Sequence, residues 1–142
     1  MINEYMTSEH RHCDAFFAMA EDSAVNGDMQ QARVSFLQFQ QQMELHFSKE
    51  ENVLFPAFES TTGNTSGPTQ MMRIEHTQMR SMFEEMNQAL ESNNNDEYLG
   101  LCETLLILMQ QHNMKEEQIL YPMADNHLAQ NSDQLLNQMK AM

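Results

Sequence analysis

The chain has 142 residues, 41% of them hydrophobic, with no Trp, four Gly, three Pro and fifteen Met. That length allows one domain, 1–142, whose core needs no disulfide framework; Cys13 and Cys102 lack paired scaffold spacing and read as buried thiols. Seven basic residues against twenty-one acidic give a net charge of −14, a field that repels phosphate backbones and anionic headgroups and so excludes nucleic acid and membrane surfaces as partners.

In chain order, the N-terminus MINEYMTSEH has no basic run ahead of an apolar one, and no window approaches the roughly 18 apolar residues of a spanning helix. A soluble, cytoplasmic protein is expected. Loop chemistry clusters at NGD (26–28), TTGNTSGP (61–68), SNNND (92–96) and, more weakly, NHLAQNS (126–132). Between these clusters apolar residues recur at helical spacing: Phe16, Met19 and Ala20; Phe36, Phe39, Met43 and Phe47; Met72, Met79, Phe83 and Met86; Leu101, Leu105, Leu108 and Met109. The pattern predicts an all-α, up-down-up-down four-helix bundle with a short helix near 133–140. Pro56 and Pro122 lack a backbone N–H and should kink or end the second and fourth helices at equivalent points.

The equivalence extends along the chain. HFSKEENVLFP (46–56) returns as HNMKEEQILYP (112–122), and a single shift of 66 residues also pairs Glu9-His10 with Glu75-His76, Met6 with Met72, Phe17 with Phe83 and Met43 with Met109. The chain reads as a duplicated helical hairpin with halves of about 1–60 and 69–126.

The spacings constrain geometry. His10 and His46, and again His76 and His112, lie 36 residues apart, which brings each pair to one level if the chain runs up one helix and down the next. The 30 residues from His46 to His76 allow the same return, so all four imidazoles can share one layer. Glu50 and Glu116 each follow a histidine by four residues, about 40° round the helix, and point with it. Glu51 and Glu117 turn about 140° away and are expected to face solvent. Four imidazoles and two carboxylates aimed inward need partners, since each uncompensated buried polar group costs several kcal/mol. A metal pair supplies them: two ions with two histidines each, Glu50 and Glu116 bridging, an oxo or hydroxo bridge, and a sixth position for a small molecule. Nitrogen and carboxylate ligands without thiolate suit iron or manganese, while zinc and copper compete through raw affinity.

These residues carry a resemblance: the chain is similar to the hemerythrin-like, HHE cation-binding proteins from about Glu9 to Pro122, through the doubled HxxxEExxLFP-type motif. The resemblance implies a four-helix bundle with a non-haem di-iron site, and its ligands fall on His10, His46, Glu50, His76, His112 and Glu116. Oxygen-carrying hemerythrins have a further histidine one turn before the third-helix ligand, where this chain has Met72, and a final His-x-x-x-x-Asp, where it has His112-x-x-x-Glu116. It is therefore more similar to the four-histidine, two-glutamate subset that includes repair-of-iron-centre proteins, without their extra N-terminal domain.

His12 and His127 do not obey the shift and stay outside the site. Glu9 and Glu75 read as acceptors for imidazole N–H groups or as solvent-facing acids, and Lys49 and Lys115 as helix-pairing charges on solvated faces. Met43 and Met109 are expected to help keep the cavity dry, and Tyr121, whose counterpart is Phe55, to offer a hydrogen bond to a bound oxygen species. The expected function is binding of, or reaction with, dioxygen, nitric oxide or peroxide at an iron pair, with a protein redox partner or iron acceptor. The alternatives are iron handling in repair under oxidative or nitrosative stress, and a metal-dependent sensing module.

Overall fold

A computed structural model describes residues 1–142. The chain forms four long helices, α1 (Ile2–Val25), α2 (Met29–Lys49), α4 (Pro68–Glu91) and α5 (Asn95–Lys115), with shorter helices α3 (Phe55–Thr62), α6 (Tyr121–His127) and α7 (Ser132–Lys140). The expected duplication is present to the residue: α1 and α2, moved by 66, give the bounds of α4 and α5. The local signals repeat too. Asp28 and Asn94 cap α2 and α5, their side chains accepting from the backbone N–H of Gln31 at 3.1 Å and Glu97 at 3.2 Å. Just before them Gly27 (φ 78°) and Asn93 (φ 53°) make the left-handed step that lets each hairpin reverse.

The prolines act differently from expectation. The α-helical pattern of α2 and α5 stops at Lys49 and Lys115, ahead of Pro56 and Pro122, and passes into π turns at Glu50–Leu54 and Glu116–Leu120. Phe55 and Tyr121 donate to the carbonyls of Glu50 and Glu116, five residues back. The chain stays helical through each proline, which falls in the first turn of α3 or α6, where its missing N–H costs little.

The N-terminus is closed by a distant acid. Asp125 accepts from the backbone N–H of Ile2 at 2.9 Å and of Asn3 at 3.2 Å, serving as a cap supplied by α6. Two apolar clusters fill the bundle. One holds Phe17, Phe36, Phe39, Phe47, Met79, Phe83, Tyr98 and Met109; the other holds Ile2, Met6, Phe55, Phe58, Met72, Leu120, Tyr121 and Leu136. Burying each large side chain stabilises the fold by about 1.5–3 kcal/mol. His10 and His76 sit between members of the two clusters on α1 and α4, and His46 and His112 between Met43 and Leu54 and between Met109 and Leu120, so a polar layer is sandwiched between two apolar ones.

Candidate metal centre

In that layer His10, His46, Glu50, His76, His112 and Glu116 are all buried, the two glutamates completely. His10 Nε2 lies 3.1 Å from His46 Nε2 and 3.0 Å from Glu116 Oε1. Glu50 Oε1 lies 3.4 Å from His46 Nε2 and 3.1 Å from His76 Nε2, while Glu116 Oε1 is 3.2 Å from His112 Nε2. Each carboxylate thus touches one histidine of each hairpin. Two groups of potential ligand atoms result, one of Glu50, His76, His112 and Glu116 and one of His10, His46 and Glu116, sharing Glu116.

The Nε2 atoms of His76 and His112 and the Oε1 of Glu50 have close neighbours but no aligned hydrogen bond, and Glu116 Oε2 has none either. Orphaned buried donors and acceptors on this scale are rare in folded proteins. Four lone-pair atoms converging without bonding one another fit a cation, and a set of imidazoles and carboxylates without thiolate suits iron or manganese chemistry.

The outer edges of the imidazoles are fully engaged. Nδ1 of His46 meets Glu9 at 2.9 Å, His76 meets Glu51 at 2.7 Å, His112 meets Glu75 at 2.8 Å and His10 meets Glu117 at 2.7 Å. These bonds run α1 to α2, α2 to α4, α4 to α5 and α5 back to α1, a closed ring round the bundle. Each Glu-His and Glu-Glu dipeptide therefore supplies one inward group and one carboxylate for a neighbouring helix's histidine. A carboxylate at Nδ1 fixes the tautomer that leaves Nε2 free as a ligand.

Two sequence expectations are corrected here. Glu51 and Glu117 do not face solvent; they lie between helices and accept from His76 and His10. Lys49 is not solvated either: it is buried, donates to Tyr5 Oη at 2.8 Å and is paired with Glu9. Its counterpart Lys115 remains half exposed and pairs with Glu75. Arg80 clamps Glu51, and Arg11 clamps Glu117, so all four carboxylates are backed by a cation. The doubling of Glu9, Glu51, Glu75 and Glu117 under the 66-residue shift was the signal for this ring.

Tyr121 Oη donates to Glu50 Oε2 at 2.7 Å and lies 3.0 Å from Glu116 Oε1, 3.2 Å from His10 Nε2 and 3.3 Å from His46 Nε2. Its counterpart Phe55 stacks on His76 at a ring distance of 5.7 Å and brings no polar atom. Phe47 covers His76 more closely, at 4.0 Å.

Electrostatics describe a centre short of positive charge. Burial pushes the Glu50 carboxyl well above its ordinary value, and the charge of Glu116 adds to the push. Burial acts on Glu116 in the same sense, but His112 and hydrogen bonds from Glu50 and His10 overcome it and hold Glu116 low. His112 is raised to about 10: burial opposes its charge, and the Glu116 carboxylate outweighs burial. Burial together with charged His112 depresses His76 to about 4. Protons stand in the cluster where a cation would neutralise two carboxylates. Cys13, pushed up to about 12 by burial, is an inert thiol beside the layer.

A helical bundle with an inward layer of imidazoles and carboxylates defines a metal-binding protein of the four-helix class. Residues 1–124 match the hemerythrin HHE cation binding domain, and the chain belongs to that family of cation-binding proteins. No curated protein and no solved structure matches the chain. No helix is long and apolar enough to cross a membrane.

Proposed function

We propose that this chain, as one domain, holds two iron ions in the layer, one between His10 and His46 and one between His76 and His112, and binds a small oxidant there. Glu50 and Glu116, which stand between the two histidine pairs, would help to hold both ions. The observation that supports a pair over a single ion is the position of the two carboxylates, each within 3.4 Å of one histidine from each hairpin. When bound, a ferrous pair supplies the electrons for reaction with dioxygen, nitric oxide or peroxide.

The chain's own groups set the conditions. The four Nδ1 carboxylates orient the imidazoles and raise their basicity toward metal. The two apolar clusters keep the layer dry and admit only small molecules. The two hairpins differ at Tyr121, which holds a proton at Oη beside His10 and His46, where the counterpart Phe55 beside His76 holds none. Tyr121 is placed to donate that proton's hydrogen bond to a ligand there.

The test is metal content and an optical spectrum of anaerobically prepared protein before and after air. About two irons per chain with visible charge-transfer absorption appearing in air support this reading. One inert zinc per chain after iron-replete expression, or no retained metal, refutes it.

A further inference from the structure

We propose that the groove between α1 and α5 is the port through which the centre takes up and releases divalent iron, with the Arg11–Glu117 pair as its inner closure. The inference rests on the metal-binding reading above and adds a route to it. It comes from comparing two faces of the bundle that the duplication should have made alike. Moving α1 by 66 residues gives α4, and moving α2 gives α5, so the α1/α5 face is the counterpart of the α4/α2 face.

The α4/α2 face is sealed. Arg80 on α4 reaches across to Glu44 at 3.0 and 3.1 Å and to Glu51 at 2.9 and 3.0 Å, and its guanidinium lies over Phe47, 5.0 Å from the ring centre. Phe47 in turn stacks on His76, whose exposure is zero. Two turns further along α4, Asn87 donates to Gln40 at 2.8 Å. Cation, ring and imidazole form a continuous plug.

At the counterpart positions on α1 and α5 the imidazole and its outer carboxylate are kept, as His10 and Glu117, but the groups that cover them are exchanged. Asp14 stands for Arg80, Asn113 for Phe47 and Gln110 for Glu44. An acid cannot clasp its partner's carboxylate, and a short amide does not cover an imidazole face. The result is a groove of about 460 Å³ lined by Asp14, Glu21, Gln110, Asn113 and Glu117 among others. Its inner wall is Glu117, which holds Nδ1 of His10 at 2.7 Å.

The lining is rich in hard oxygen donors, the chemistry that suits a partly hydrated divalent cation, and it opens in a chain of net charge −14 that concentrates cations at its surface. The one cation in the lining is mobile by construction. Arg11 is 62% exposed, bonded to Glu117 at 3.0 Å and only loosely paired with Asp14 at 3.8 Å. An incoming ion displaces it by competing for the same carboxylates. The groove stops at Glu117, one bond short of His10; the cavity that has a site histidine in its own lining, beside His46 and Glu9, has about 20 Å³, room for one water and too small for a hydrated ion.

The experiment is the rate of ferrous ion uptake by anaerobic apo-protein, and of release to a chelator, with final stoichiometry measured in each case. Copying the sealed face into the groove with D14R and N113F should slow both rates several-fold while leaving the stoichiometry unchanged. R11A, which removes the closure and no ligand, should accelerate uptake, and added salt should slow the wild type. If the sealed variant or R11A folds and exchanges iron at the wild-type rate, the port is elsewhere and the proposal fails. If wild-type protein takes up no iron, it is the metal-binding reading that has failed. If D14R/N113F does not fold, the R11A rate alone decides.

Discussion

Glu51 Oε2 lies 2.7 Å from Nδ1 of His76 across the α2–α4 interface, while its neighbour Glu50 reaches the inner edge of the same ring. One dipeptide thus grips both nitrogens of a single imidazole, and Glu116-Glu117 does the same to His10.

Neutralising the outer member of either dipeptide should weaken metal binding without removing a ligand. Glu51→Gln and Glu117→Gln are each expected to lower iron affinity by about 10- to 100-fold with the stoichiometry retained at saturating metal. Competition against a calibrated chelator measures this. Unchanged affinity in both variants would mean the Nδ1 bonds are packing contacts alone.

Much of this centre was legible in the chain because the duplication leaves the inward histidines and glutamates, and the acids beside them, in two copies. The bundle, the helix bounds and the inward direction of Glu50 and Glu116 follow from spacing, since a group four residues after a core histidine shares its face. The direction of Glu51, Glu117 and Lys49 did not follow. A turn of 140° away from the core means solvent on an isolated hairpin, but in a four-helix bundle each helix has neighbours on both flanks, and that angle meets the neighbour's histidine. The π turns were also out of reach: the prolines signalled a break, but nothing in their spacing said the chain would widen to a five-residue bond and stay helical. The sealed and open faces were hidden for another reason, because they depend on which pairs meet across helices.

Lys49 and Lys115 occupy equivalent positions with different solvent access, 6% against 45% of the side chain exposed. Lys49→Met removes a buried cation from Tyr5 and the part-buried Glu9 and should destabilise the apo-protein by roughly 2–3 kcal/mol, less than for a fully buried pair because Glu9 keeps some contact with water. Lys115→Met should cost about 1 kcal/mol or less, as a screened pair does. Urea denaturation of both variants decides; equal losses would contradict the asymmetry.

Metal loading should release protons. At neutral pH the apo-centre carries a proton on His112, raised to about 10, and burial and the charge of Glu116 favour the protonated form of Glu50. Ligation requires both to leave, so affinity should rise with pH up to the region of His112, and calorimetry in buffers of different ionisation enthalpy should show protons released. The apo-protein has its own profile. His112, raised from an imidazole's ordinary value of about 6.5, contributes stability fully present below that value and lost as pH climbs through about 10. On the acid side Glu9, where burial is outweighed by His46 and Lys49, sits at about 2 and contributes stability that fades as pH falls below 4.5 toward 2. A pH-independent midpoint of thermal unfolding across these windows would contradict both assignments.

Tyr121 offers a test of what the layer is built to contain. Its phenol is fully buried and donates to Glu50 while lying within 3.3 Å of three other site atoms, so in apo-protein it helps satisfy the carboxylates. Tyr121→Phe should therefore destabilise the apo-protein by roughly 1–3 kcal/mol, the cost of leaving a buried polar partner without its donor. Iron takes over the neutralisation of Glu50 and Glu116, so the same substitution should cost distinctly less in loaded protein. Phe55→Tyr, at the counterpart position beside His76, is the control: it adds a hydroxyl to a fully buried ring stacked on His76 and covered by Arg73, and should be unfavourable whether or not metal is bound. Thermal melts of the three proteins with and without iron separate the cases. If Tyr121→Phe costs as much with iron as without, the phenol is bound to something other than the carboxylates that metal neutralises, and its bond to Glu50 is not its main role.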